Sequence, residues 1–321
     1  MIEEYEFILE DRISKIKAIN KQYDLENNSY IAFSGGKDST VLHYLVDMAL
    51  PNNKIPRVFS NTGMEYTEIV KFVKKMAIND NRIIILNQTS NIKKTLEHYG
   101  YPFKSKEHSQ KVYEARRSFE LHGELPQYLV IYRDAISTYT NKKGETKEKM
   151  NLCPTILKCQ FEKDYKFKVS KMCCIKLKER LAEQWQRENP SRIMTITGMM
   201  KEEGGTRLQL SCLSKNNTKF NPLSVITSKF EDEFIKRNNI EICKLYYPPY
   251  NFERTGCKGC VYNKDLQQYL EVLYRLSPKE YWQCIHLWKP VYDEYIRLGF
   301  RLKSYPHERG VQMSLDDYLE G

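Results

Sequence analysis

An α/β fold on a parallel sheet is predicted by three observations. Short β-branched runs alternate with helix-patterned segments, a double-glycine turn follows the first run, and a strand again meets a glycine at residue 198. Taken in order, Ile8, Leu9, Ile13, Ile16 and Ile19 recur near helical spacing and predict an amphipathic helix over residues 5 to about 24. Residues 29–33 read as a short buried strand, and the turn after it leads into a helix through Val41, Leu42, Leu45, Val46 and Met48. Residues 56–60 form a second strand, 65–77 a second helix and 82–86 a third strand. This alternation calls for parallel pairing with right-handed crossovers. Between residues 92 and 167 the periodicity fades and Lys, Tyr and Glu dominate, which reads as an insertion. A helix resumes from 170 to about 188, a strand follows at 192–197, and helices lie at 229–238 and after 265. The division predicted is an N-terminal helix (1–28), an α/β domain in two pieces (29–91 and 170–262), a basic insertion (92–169) and a helical C-terminal region (263–321).

The 321 residues are 41% hydrophobic, 29% charged and 12% aromatic, the balance of a globular chain with a sizeable core. No apolar run approaches the roughly 20 residues of a membrane span, and the acidic start lacks a secretory pattern, so the expected location is the cytoplasm. Lys and Arg number 51 against 41 Asp and Glu, a net +10 that favours polyanionic partners such as nucleotides or nucleic acid. Nine cysteines in a reducing compartment point to metal ligation rather than a disulfide framework.

The segment Ser34-Gly35-Gly36-Lys37-Asp38-Ser39-Thr40 sits where a strand hands over to a helix. Two glycines let successive amides converge on an anion, and the helix start adds its positive end. Lys37 and the hydroxyls of Ser34, Ser39 and Thr40 supply charge and donors, and Asp38 is the candidate Mg²⁺ ligand. The spacing is not that of a Walker A loop, which places four residues between its first glycine and the Gly-Lys pair. An ordinary helix-capping turn is the competing reading.

These residues resemble the PP-loop ATP pyrophosphatases and, more closely, the phosphoadenosine phosphosulfate (PAPS) reductase branch. The resemblance implies a Rossmann-like sheet of the adenine nucleotide alpha hydrolase-like type, with the loop gripping pyrophosphate or phosphosulfate. It implies ATP or a related adenine nucleotide as ligand, with Lys37 and Asp38 in catalytic roles. Asn61-Thr62-Gly63 is similar to the Asp-Thr-Gly segment lining the family's nucleotide pocket, with Asn61 in place of the acid. Gly198 opens a stretch similar to Gly-Ile-Arg, where Met200 replaces the arginine and Lys201 or Arg207 stands in. Phe220-Asn221-Pro222-Leu223 also follows the family order. The resemblance covers 29–86 and 170–262.

Cys173-Cys174 and Cys257-Lys258-Gly259-Cys260 make a set of four thiols in two segments with 82 residues between them. Such a set suits a [4Fe–4S] cluster or a tetrahedral Zn²⁺, with Gly256 and Gly259 easing the turn, whereas the bland alternative is a core pair plus an unrelated CxxC. Adjacent cysteines followed far downstream by CxxC resemble the signature of APS reductases and of DNA-phosphorothioation enzymes, which favours iron–sulfur. Cys153 and Cys159 fit neither metal pattern, and Cys212, Cys243 and Cys284 read as core. Sulfonucleotide reductases use a nucleophilic cysteine near the C-terminus, whereas no cysteine follows Cys284 here.

The expected function is therefore adenylation of an acceptor with pyrophosphate release, coupled to sulfur transfer. The alternatives are a sulfonucleotide reductase with Cys284 as a displaced nucleophile, or a non-enzymatic nucleotide- or redox-sensing module. Residues 140–180 hold twelve Lys or Arg against five Asp or Glu, interleaved with Phe161, Tyr165 and Phe167, and offer a nucleic-acid acceptor both charge and stacking. A merely solvated basic segment has equal weight on sequence. A sulfur-donor protein and further copies of the chain are the protein partners this reading admits. His286 and Trp288 read as packing.

Overall fold

Five parallel strands in the order β3-β2-β1-β6-β7 organise the first of two units of the chain. The computed structural model describes residues 2–134, 136–140, 146–150 and 153–309. The first unit comprises Met1–Thr89 and Lys178–Thr255, and the second Ser90–Leu177 and Gly256–Gly321. In the first unit, helices α1 (Ile2–Tyr23) and α2 (Leu25–Asn28) lead into β1 (Ser29–Ala32), α3 (Lys37–Ala49), β2 (Arg57–Asn61), α4 (Thr67–Asn79) and β3 (Ile83–Asn87). The chain then enters the second unit with α5 (Ile92–Tyr99), α6 (Lys106–His122), α7 (Gln127–Asp134) and the antiparallel hairpin β4 (Ile136–Thr140) and β5 (Thr146–Met150). It returns to the first unit with α8 (Arg180–Glu188), β6 (Met194–Ile196), β7 (Lys219–Phe220) and α9 (Ser228–Arg237), and ends in the second with α10 (Leu266–Leu276) and α11 (Pro278–Leu298).

The predicted α/β class with a parallel sheet is what the chain adopts. The second strand begins one residue after Pro56, which has no N–H for the ladder. Strand β1 shows how the sheet is covered on both faces, since successive side chains point to opposite sides. Ile31 joins a core with Val41, Leu42, Leu45 and Val46 of α3, Ile16 and Ile19 of α1, and Phe230 and Phe234 of α9. Tyr30, its neighbour, packs with Val58 and with Trp185 of α8, ring centroids 5.1 Å apart. Each such fully buried aliphatic or aromatic side chain contributes roughly 1.5–3 kcal/mol.

Beside this core, His43, Asp47 and Asp80 bring their ligand atoms within 4.8 Å of one another, as a metal site would. Two arginines supply the positive charge instead: Arg57, fully buried, reaches Asp47 at 2.6 Å, and Arg82 bonds Asp47 and Asp80 at 2.8 Å each. Burial, and then the adjacent Arg57, hold His43 down to about 4, so it is neutral at physiological pH.

The segment expected to lack periodicity is instead largely helical. Asn91 and Ser105 cap α5 and α6 by accepting from the amides of Lys94 and His108. The helix expected from residue 170 has a π-helical stretch at Cys174–Glu179 before α8. Among the described residues, no helix is long and apolar enough to cross a membrane.

Candidate functional site

In the strand order of the first unit, the connections from β1 and β6 diverge, and a doubly wound sheet opens its crevice at the carboxyl ends of such neighbours. The loop after β1 carries residues 34–40 and the loop after β6 carries Gly198. A Cβ on Gly198 would stand 2.9 Å from the Asp38 carbonyl oxygen, so glycine is what lets these two loops touch.

Gly35 adopts φ +70°, the left-handed region, and a Cβ there would lie 2.5 Å from Val73 Cγ2. Helix α3 begins two residues later, at Lys37. The hydroxyls of the motif build the bend: Ser34 Oγ accepts from the Gly36 amide at 3.3 Å, and Ser39 Oγ accepts from the Ser34 amide at 3.2 Å. Ser39 and Thr40 hydroxyls donate to the Gly36 carbonyl at 3.0 and 2.9 Å. From the far end of the unit, Tyr246 brings its hydroxyl to the Lys37 amide at 3.0 Å and to Thr255 Oγ1 at 2.6 Å.

Charges of both signs gather around this bend. Lys37 Nζ lies 3.0 Å from Glu231 Oε2 and 3.1 Å from Asp232 Oδ1, both in the first turns of α9. Burial lowers the Lys37 value, but the Glu231 and Asp232 carboxylates together outweigh it and the net direction is up. Glu231 is fully buried, and neither oxygen has a partner with hydrogen-bond geometry; its contact with Lys37 is an ion pair by proximity alone. That burial, and then the nearby Asp38, push its carboxyl up to about 8. Arg207 and Arg254 share Glu203, the latter at 2.7 Å. Burial, and then Arg254 alongside, hold Arg207 below its usual range, while Asp38 draws it the other way. A cleft of about 510 Å³ adjoins Lys37 and is walled by Ile240, Tyr246, Tyr247 and Phe252, within the size range of small-molecule sites. Oxygen donors such as Asp38 are the kind Mg²⁺ takes.

The four predicted metal-ligating cysteines all fall in the second unit. The Cys173 thiol shares a hydrogen bond with the Cys174 sulfur, and that hydrogen bond, then burial, then the fields of Cys174, Cys260 and Cys257 drive it far up. Burial, then Cys257, raise Cys260 well above the ordinary range. Cys174 and Cys257 act on both raised thiols, so the four sulfurs lie within one another's fields, and four soft sulfur donors gathered in this way are the kind a metal or an iron–sulfur cluster takes. The CxxC turn is held by α11. Trp288 Nε1 donates to the Lys258 carbonyl at 2.9 Å, and Tyr292 donates to the Gly259 carbonyl at 2.5 Å. Gly259 has φ +70°, and a Cβ there would come within 2.9 Å of Tyr292, Trp288 and Cys284. Gly256, expected to share in the turn, needs no such freedom: a Cβ on it would meet nothing within 4 Å.

The model of the phosphoadenosine phosphosulfate reductase domain matches residues 28–262, well over half of the chain. The chain belongs to the PAPS reductase domain family. Among curated proteins, an uncharacterised protein of Methanocaldococcus jannaschii is 28% identical over 177 residues, 48% of this chain and 41% of that one. The match thus spans less than half of that relative's length. Among solved structures, the PAPS reductase of Candida auris in a phosphate complex is similar over 75% of this chain and 87% of that chain, at 10% identity and TM-score 0.41. The U34-tRNA thiolase NcsA of Methanococcus maripaludis, with its [4Fe–4S] cluster, is similar over 89% and 79%, at 14% identity and TM-score 0.35.

Other expected residues of the family site are placed as follows. Asn61 ends β2 and bonds Asn87 at 2.8 Å, Thr62 is buried with its amide and hydroxyl on Glu65, and Gly63 turns the chain at φ +81°. Lys201 is exposed, whereas Arg207 lies in the field of Asp38. Cys284, the candidate displaced nucleophile, is 1% exposed and its thiol is pushed up to about 12 by burial; a reacting thiolate is unavailable there. Phe161, expected to offer stacking, is fully buried. Tyr165 and Phe167 are half-buried, and Phe167 stacks on Tyr101 at 5.6 Å. Lys163, Lys166 and Lys168 are exposed, Lys142 and Lys143 lie outside the described residues, and of Lys147 and Lys149 only the backbone is described. Glu231 and Arg254 are the residues that the sequence did not point to.

Proposed function

We propose that this chain is an enzyme that binds ATP or a related adenine nucleotide at residues 34–40 and cleaves it at the α-phosphate. The acceptor takes the adenylyl group as pyrophosphate leaves, and sulfur delivered by a donor protein then displaces AMP from the activated acceptor. The reading is carried by one observation: the left-handed Gly35 bend stands at the sheet's switch point, with α3 starting behind it and Gly198 pressed against the first turn of α3 at Asp38. Family membership supports the same ligand class.

In this reading the 34–40 amides and Lys37 hold the phosphate oxygens, and Arg207 and Arg254 neutralise charge that develops on the leaving pyrophosphate. Asp38 holds Mg²⁺, which supplies further charge stabilisation at the phosphates when bound. Lys37 reaches the phosphates by exchanging its carboxylate partners for them. Asn61, Thr62 and Gly63, at the end of β2, border the nucleoside. Cys173, Cys174, Cys257 and Cys260 hold a [4Fe–4S] cluster, with Zn²⁺ as the alternative occupant; the cluster supplies sulfur carriage or electron storage when bound. Exposed Lys163, Lys166 and Lys168 support a nucleic-acid acceptor through phosphate contacts. The buried Cys284 speaks against a relocated reductase nucleophile.

The test is anaerobic turnover of ATP with Mg²⁺ and candidate tRNA or DNA acceptors, assayed for pyrophosphate and AMP. Acceptor-dependent pyrophosphate release that Gly35→Ala abolishes is the expected result. Sulfite release from APS or PAPS without ATP turnover would replace this reading with a reductase.

A further inference from the structure

Within the second unit, α6 and residues 160–169 line a cavity of about 220 Å³. Its apolar walls are Val112, Phe119, Phe167 and Val169, and Phe167 is backed by Tyr101, the rings 5.6 Å apart and 25° from parallel. The volume falls below the roughly 300–1,000 Å³ of sites for drug-sized ligands, so it suits a single ring system rather than a whole nucleotide.

Two polar groups of the lining hold donors without acceptors. Arg116 Nε donates to Glu120 Oε1 at 3.3 Å, but Nη1 is sealed from solvent and finds no partner among the described residues. Gln160, buried, is oriented by its neighbours. The Tyr165 O–H donates to Glu294 at 2.6 Å, so Tyr165 accepts from Gln160 Nε2 at 3.1 Å, and the amide oxygen faces His108 Nε2 at 2.7 Å. A primary amide carries two N–H groups, and the second is uncommitted among the described residues. Native proteins seldom keep such buried donors unless a ligand or water takes the bond. The charges of the lining cancel, Arg116 and Lys163 against Glu120 and Glu162, which favours a neutral ring bearing acceptors over an anion.

We propose that this cavity takes one unstacked keto base of a nucleic-acid strand, seated against Phe119 and Phe167, with Arg116 and Gln160 donating to its carbonyl edge. The inference rests on the nucleic-acid acceptor reading above and names what that acceptor presents. A ring carbonyl is the acceptor that guanine, uracil and thymine share. Lys163, which lines the cavity, and Lys166 and Lys168 are exposed and available to the phosphates of the same strand. Taking a base out of its stack is least costly in a single strand.

The experiment measures binding of fluorescein-labelled single-stranded dodecamers, as DNA and as RNA, to the full chain by fluorescence anisotropy. The strands are adenine throughout except at the centre, which is guanine, 2-aminopurine (guanine without its carbonyl oxygen) or an abasic site. Wild type is expected to bind the guanine strand at least about fivefold more tightly than the 2-aminopurine strand. Arg116→Gln is expected to bind those two strands equally, whereas Lys163→Gln weakens all three alike and keeps the preference. Phe119→Leu should weaken the guanine strand relative to the abasic one, and it answers for the cavity if Arg116→Gln fails to fold. Equal binding of the guanine and 2-aminopurine strands by wild type, or a preference that survives Arg116→Gln, would overturn the base cavity while leaving a nucleic-acid acceptor in place. Displacement of the strand by an equal concentration of guanosine would overturn it in favour of a free nucleoside. Binding of no strand would overturn the nucleic-acid acceptor reading itself.

Discussion

The phosphate loop and the cysteine site are built by opposite strategies. The loop is assembled from neighbours in sequence: Ser34, Gly35, Gly36, Ser39 and Thr40 bond one another, and the sheet edge presents them. The cysteine site joins two short segments with 82 residues between them, and its turn is held by a third element, α11, through Trp288 and Tyr292. A loop specified by its own residues fails by local strain, whereas a site specified by distant supports fails when any support goes.

The sharpest way to break this comparison is to remove a ligand. Cys260→Ala is expected to lose iron and acid-labile sulfide to background while binding ATP within about twofold of wild type, a fraction of a kcal/mol by calorimetry. Parallel loss of both properties would show that the two sites are one cooperative structure. Gly35→Ala is the converse. A Cβ must displace Val73 from a left-handed residue, so stability should fall by about 1–3 kcal/mol in urea and ATP affinity by at least about tenfold, with iron content retained. Trp288→Phe removes one hydrogen bond to the Lys258 carbonyl, worth about 1 kcal/mol, and is expected to speed iron loss to a chelator without altering ATP binding.

A further test of the loop's charge balance concerns pH. Glu231 is raised from 4.5 to about 8, so the stability it contributes is fully present below about 4.5 and is lost as pH rises through about 8. Glutamine does not titrate. The stability of wild type relative to Glu231→Gln should therefore decline across that window in denaturant titrations, and the variant should be the more stable above it. A difference that stays flat from pH 4.5 to 9 would place the Glu231 charge outside the balance around Lys37.

What could be read in the sequence follows the same division. Strands β1 to β3 and helix α3 were legible because their apolar periods are local, and the loop because its glycines and hydroxyls are contiguous. The helices of the second unit were not. Helix α6 buries His108, Ser109 and Ser118 beside Val112 and Ala115, so polar residues interrupt the stripe that periodicity detects. Helix α5 buries only Leu96. Glu231 reaches Lys37 and Arg254 reaches Glu203 across long stretches of sequence, and nothing in their local sequence marks them. Trp288 was read as packing, which its full burial bears out, but its indole N–H finds a backbone carbonyl, a partner without a sequence signature. The four cysteines named from their spacing all fall in the second unit, while Gly256 and Phe161 were given roles that their surroundings do not support.

The most direct test is isothermal calorimetry of the full chain with ATP and Mg²⁺, run beside Gly35→Ala. The account predicts saturable one-site binding by wild type and a loss of at least about tenfold in the variant. Equal affinity in the two proteins, or no heat with wild type, would contradict it.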